Sequence, residues 1–216
     1  MKTILIVMAF FTSLSVSAQF SINGGVNSLK AFGVPGLYGG LHLGLEIPRE
    51  DGISIYGRFS HYFSKDAQDS IFTTGTAINP ATTFPTVVTG RGTASMNYTI
   101  IEGGTRYYLG DGFDYGWAAY GGTTLKLIFN GVRTNFETID QSLYTVDGGG
   151  DGTILNFGVG LNGGVKYTRA PLGTFYADLG LSYILFSAAS TTNINASLYS
   201  PIFFDFSIGY RRDLGW

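Results

Sequence analysis

From Phe20 onward, apolar and other residues alternate with a period of two, the spacing of a strand whose two faces meet different surroundings. The segment from Leu155 to Tyr167 is the plainest case. Leu155, Phe157, Val159, Leu161, Val165 and Tyr167 share one face with Gly163, and Asn156, Gly158, Gly160, Asn162, Gly164 and Lys166 share the other. Seven more segments follow the same rule. The first, roughly 20–29, carries Phe20, Ile22 and Val26. The second sets Leu37, Leu41, Leu43, Leu45 and Ile47 against His42 and Glu46, and the third sets Ile53, Ile55 and Phe59 against Tyr56 and Arg58. In the fourth, about 93–109, Ile101, Tyr107 and Leu109 oppose Glu102 and Arg106. Higher in that segment Met96, Tyr98 and Ile100 fall on the charged parity, which predicts a bulge there. The fifth sets Trp117, Ala119, Leu125, Leu127 and Phe129 against Tyr120 and Lys126. The seventh sets Phe175, Ala177, Leu179, Leu181, Tyr183 and Leu185 against Tyr176, Asp178 and Ser182, and the eighth sets Phe204, Phe206, Ile208 and Tyr210 against Asp205, Ser207 and Arg211.

Once the apolar faces are fixed, the charges test them independently. Glu46, Arg58, Glu102, Arg106, Lys126, Lys166, Asp178, Asp205 and Arg211 all fall on the opposite face. In a soluble sandwich the apolar face is the core; in a membrane barrel it meets lipid and the charges point inward. Four features favour the barrel. Several segments exceed ten residues, whereas soluble strands average about 5–6. Tight turns at Pro48–Gly52, Gly110–Asp114 and Arg169–Gly173 alternate with long connections at Lys65–Gly92, Asn130–Gly152 and Ala188–Pro201, although Lys30–Gly36 is short. Aromatics gather at strand ends: Tyr107, Tyr115, Trp117, Tyr167, Phe175 and Trp216 near the short turns, and Phe59, Phe63, Phe129, Phe157, Tyr183 and Phe204 nearer the other rim. The chain also stops inside its last strand, where Phe206, Ile208, Tyr210, Leu214 and Trp216 share the outward parity, interrupted by Arg212.

The N-terminus agrees. Lys2, an apolar run from Ile4 to Phe11 and a small-residue end at Val16-Ser17-Ala18 have the make-up of a cleaved secretory signal. The domain plan is therefore a signal peptide over 1–18 and a single barrel domain over 19–216, with no segment apolar enough for a helical span. Composition narrows the function. Charged residues are 13% of the chain and 32 residues are glycine, against roughly 25% and about 7% in ordinary soluble domains. A net charge of −2 gives no footprint for nucleic acid, and the absence of cysteine removes disulfides, zinc–thiolate sites and thiol nucleophiles.

A final amphipathic strand ending in an aromatic looks like the β-signal of outer-membrane proteins, here Phe206, Ile208, Tyr210, Leu214 and Trp216. The stretch Ile101-Glu102-Gly103-Gly104-Thr105-Arg106-Tyr107-Tyr108-Leu109 resembles the strand-to-turn segment of small outer-membrane barrels. In plan the chain is similar to the OmpX and OmpA-barrel type, the outer membrane protein beta-barrel domain family. That resemblance implies an all-β, up-and-down antiparallel transmembrane barrel of eight strands with both termini periplasmic. It implies a place in the cell outer membrane, contact with its lipid and lipopolysaccharide, and handling by the barrel-assembly machinery. The Thr-rich connection 65–92, with strand-like Thr73-Thr74-Gly75 and Phe84-Pro85-Thr86-Val87-Val88, predicts a hairpin protruding beyond the membrane, or an extra pair giving ten strands. The chain ends with its last strand, so no periplasmic peptidoglycan-binding domain is expected.

Eight strands leave an interior that side chains just fill. The nine inward charges, five cationic and four anionic, therefore read as a paired structural network. The leading expectation is a non-enzymatic structural or interaction barrel, working through outer loops or as a subunit of a larger outer-membrane complex. Two other readings stay open: a narrow pore for water, ions or small solutes, and a lipid A-modifying enzyme. The second rests on His61, near the outer end of the third strand with Ser60 and Ser64 close by, since some small outer-membrane barrels are lipid A deacylases or acyltransferases built on His and Ser. His-Tyr-Phe-Ser does not match that spacing, and His42 reads as a lone inward hydrogen-bonding residue. Asp147-Gly148-Gly149-Gly150-Asp151-Gly152 shares the Asp/Gly make-up of calcium loops but lacks their alternating ligands and distal Glu, and reads as a solvated turn. No catalytic, cofactor or metal residues are assigned, and no cofactor is expected.

Overall fold

The computed structural model describes residues 20–50, 52–110, 115–136, 139–146, 151–170, 172–190 and 198–214. Among them nine strands are formed: β1 (Phe20–Ala31), β2 (Tyr38–Glu50), β3 (Ile53–Ala77), β4 (Val87–Gly110), β5 (Gly116–Asn135), β6 (Tyr144–Val146), β7 (Gly152–Arg169), β8 (Gly173–Ala189) and β9 (Ile202–Leu214). Eight of them close an antiparallel ring. Each pairs with the next in the order β1, β2, β3, β4, β5, β7, β8, β9, and β9 returns to β1 with Phe20 opposite Leu214 and Ala31 opposite Phe203. Closure leaves no sheet edge within the ring, the condition for a sheet to survive in hydrocarbon. Both ends of the ring's chain lie at the rim of the short turns. At two of those turns Gly52 (φ 78°) and Gly173 (φ 105°) take the left-handed backbone that a side chain disfavours.

The period-two reading places the side chains as expected. Leu43, Leu125, Leu161, Leu179 and Ile208 stand outside the ring, each half or more exposed. Trp117 packs on Tyr167 and Phe175 on Tyr210, with ring centroids 5.0 and 5.3 Å apart, as an aromatic girdle at the short-turn rim.

Two expectations change. No bulge interrupts β4 against β5: the register runs without a shift from Thr93–Asn135 to Gly110–Ala118, and Met96, Tyr98 and Ile100 simply face inward. The irregularities lie on β3, which carries extra residues between Tyr62 and Lys65 and again around Gln68. The connection 130–152 is also shorter as a loop than expected, with β5 running on to Asn135 and β6 within it, whereas 65–92 forms the expected hairpin. Strands β3 and β4 run on to Thr76 and Val87 as the protruding hairpin, and the ring stays at eight strands. β6, inside the β5–β7 connection, adds to this hairpin by pairing Val146 with Gly75 and Tyr144 with Ala77.

Glycine sets how closely the strands pack. A Cβ on inward Gly122 would fall on the backbone carbonyl of Thr105, and one on Gly104 on that of Thr123. Backbone cannot swing aside as a side chain can. Gly122→Ala is expected to lower barrel stability by about 1–3 kcal/mol, read as an earlier urea midpoint in detergent; an unchanged midpoint would show that the wall yields there.

Candidate functional site

The nine inward charges come together inside the barrel, all of them buried. Eight of them form an alternating chain. Lys126 bonds Asp205 and lies 3.2 Å from Glu102. Arg58 meets Glu102 at 2.6 Å, Asp178 at 3.0 Å and Asp205 at 3.7 Å. Arg106 then bridges Asp178 at 3.0 Å to Glu46 at 2.8 Å. Arg211 lies 3.7 Å from Glu46 and 3.2 Å from Asp213. Lys166 donates to Thr168 Oγ1 at 3.0 Å and sits 5.7 Å from the centre of the Tyr108 ring.

Neutral side chains add further partners, although Arg106 Nε and Asp178 Oδ1 are buried without a hydrogen bond among the described residues. Ser54 donates to Glu46 Oε1 at 2.5 Å, and the Tyr108 hydroxyl donates to the same oxygen. The Arg106 guanidinium lies 4.3 Å from the centre of Tyr56 and 4.9 Å from that of Tyr120, so its faces are spent on rings and its edges on carboxylates. This matters because a charge removed from water is tolerable only when paired and hydrogen-bonded. His42 is buried beside the network, its Nε2 2.6 Å from the Tyr176 hydroxyl.

Sequence reasoning missed Asp213. It accepts a 2.5 Å bond from Ser21 as well as meeting Arg211, tying β9 to β1. Its parity with Arg211 was the available signal.

Going outward, the interior changes character abruptly. Above Glu102, Lys126 and Asp205, the next inward residues on the same strands are Ile100, Ile128 and Phe203, each 2% exposed or less. With Leu29, Tyr62, Met96, Tyr98, Ile154 and Ile184 they form an apolar cluster, with buried Ser60, Asn130, Asn156 and Ser182 on the adjoining inward positions. Tyr98 packs edge-on to Tyr38 at 4.8 Å and to Phe203 at 5.8 Å. The cluster continues upward through Ala94, Val132, Phe136 and Ile139, onto which the hairpin folds its inner face. Its outer face shows Phe72 and Val87, with Ile78 and Phe84 at the tip.

His61 stands on the outer wall, its Nδ1 3.0 Å from Thr99 Oγ1, while Ser60 is buried on the inner wall. The two cannot exchange a proton through the sheet. Asp147–Gly150 lie outside the described residues; Asp151 uses Oδ1 to accept the Thr134 N–H at 2.9 Å. Of the C-terminal outward series, Phe206, Ile208 and Leu214 line the outer face of β9 beside half-exposed Tyr210, and Trp216 lies outside the described residues, as do residues 1–18.

No protein-family model and no curated protein sequence matches the chain. Solved structures do match along nearly its whole length. Neisserial surface protein A (NspA) superposes with a TM-score of 0.55 at 13% identity, covering 92% of this chain and 97% of that one. A major outer membrane protein from Thermus thermophilus gives a TM-score of 0.50 at 14% identity, covering 92% of this chain and 100% of that one. The chain has the fold of small outer-membrane β-barrel proteins.

Proposed function

We propose that this barrel resides in the outer membrane as a non-enzymatic interaction protein that works through the surface it carries beyond the lipid. One observation carries the reading. The interior carries an ion network below and a mainly apolar cluster above, while β3, β4 and β6 build an ordered hairpin outside with exposed apolar side chains. Such a barrel serves as a rigid base. Buried Tyr98, Ile100, Ile128 and Phe203 above the charges disfavour an ion path, and the charges beneath them read as structural. Exposed Phe72, Phe84 and Val87 on a folded hairpin are the kind of patch that marks a partner surface.

The test is capture from native membranes in mild detergent, followed by mass spectrometry. The wild-type chain is expected to hold a stoichiometric outer-membrane or surface partner. A Phe72→Ser, Phe84→Ser, Val87→Ser variant is expected to lose it while keeping the heat-dependent gel shift of a folded barrel. A variant that retains the partner, or a wild-type protein that captures none, removes the reading. Planar bilayers should stay silent; discrete steps altered by Lys126→Ala would put the pore in its place.

A further inference from the structure

Three adjacent strands change from apolar to polar at one height on the outer wall. On β5 the outward series Leu125, Leu127, Phe129 gives way to Gly131 and Arg133. On β4 Ile101 gives way to Thr99, Asn97 and Ser95, and on β7 Leu155 gives way to Thr153. The pairings Thr99–Phe129–Leu155 and Asn97–Gly131–Thr153 put the change in register across all three strands. Directly above the last apolar ring lies a cleft of about 520 Å³, lined by Ser64, Ser95, Asn97, Arg133, Asp151 and Thr153 with Gly131 as floor. At about 3.4 Å per residue its floor stands two residues, under roughly 7 Å, above the Phe129 ring, which is headgroup height.

We propose that this cleft binds a sugar bearing an anionic group, such as the phosphorylated saccharide of an outer-leaflet glycolipid. The donor set is the reason. Hydroxyls of Ser64, Ser95 and Thr153 and the amide of Asn97 both donate and accept, as a ring of sugar hydroxyls requires. Asp151 keeps an oxygen beyond the one that accepts the Thr134 N–H, and a carboxylate accepts from paired hydroxyls. Arg133, exposed at the mouth, supplies the fork that suits phosphate or carboxylate. Glycine at 131 is what leaves the cleft open. A Cβ there would collide with the Asn97 side chain, displacing it from the floor. The cleft rests on the reading that the long-connection rim faces outward from an outer membrane, but not on any protein partner.

The test titrates full-length barrel in phospholipid nanodiscs with two probes, purified lipopolysaccharide and its de-acylated phosphorylated oligosaccharide, counting bound ligand by native mass spectrometry. Gly131→Val and Arg133→Ala are each expected to weaken binding at least tenfold, while Arg169→Ala at the opposite rim leaves it unchanged. Binding of both probes, lost together in the variants, identifies the sugar itself as ligand. Binding of lipopolysaccharide alone, lost likewise, identifies a membrane-anchored glycolipid. Equal binding by wild type and both variants, or no binding of either probe, overturns the proposal. Loop accessibility to protease on intact cells reports separately on the membrane placement.

Discussion

Arg58→Ala is expected to destabilise the barrel by about 3–5 kcal/mol, the range seen when one member of a buried ion cluster is removed. Arg58 meets Glu102, Asp178 and Asp205, three carboxylates with almost no access to water. Lys126 remains for Glu102 and Asp205, and Arg106 for Asp178, but each then serves more negative charge than it can neutralise. Urea titration in detergent, followed by the gel shift between folded and unfolded barrel, gives the number. Replacing the group by neutral shapes, Arg58→Met with Glu102→Gln and Asp178→Asn, should recover most of the loss, because the cost comes from the uncompensated charge and little from the missing contact. A single variant costing under about 1 kcal/mol would mean that water reaches the network, since screened pairs are worth no more than that.

The second large effect lies on the outer wall. Leu161 is 64% exposed, midway along the outward series of β7 between Tyr167 and Leu155. Leu161→Arg is expected to cost about 2–4 kcal/mol in lipid vesicles, whereas Tyr167→Arg at the girdle should cost about 0–1, since an arginine at the interface reaches the headgroups. The depth dependence is the diagnostic. A soluble protein with an exposed Leu161 would tolerate arginine there as well as at 167, so equal small costs would refute the membrane placement.

Much of the fold is written in the chain because hydrocarbon is an unforgiving solvent. Arg106, Lys126 or Asp205 turned outward would face lipid, so parity alone assigns them to the interior. The apolar part of the interior is harder to read. Met96, Tyr98 and Ile100 suit either side of the wall, and a bore expected to be polar makes an inward apolar cluster read as a bulge. The actual irregularity, on β3 beside Lys65, leaves no trace in composition because it arises from how two strands match at the rim. β6, three residues long, is below what a period can reveal, and it forms only because the hairpin offers an edge at Gly75–Ala77. Among the chemistry, the inward charges were legible but their partners were not. Arg58 and Asp178 stand on strands far apart in sequence, joined only by the curvature of the ring. Ser60 and His61, neighbours in the chain, needed only parity to be set on opposite faces. The outer cleft needs three strands in register, which no single segment discloses.

The alternating ion chain has a consequence for the order of events in making the barrel. Its members come from β2, β3, β4, β5, β8 and β9, and the last strand alone brings Asp205, Arg211 and Asp213. Until β9 arrives, Lys126 and Arg58 lack one of their counter-ions and Glu46 lacks one of its two guanidinium neighbours. A partly built sheet offered to lipid would carry those bare charges with it, so insertion one strand at a time is uphill until the seam between β1 and β9 zips. Closure and burial are thereby a single committed step, and a truncated chain lacking β9 should be retained in water for degradation instead of lodging half-built in the bilayer.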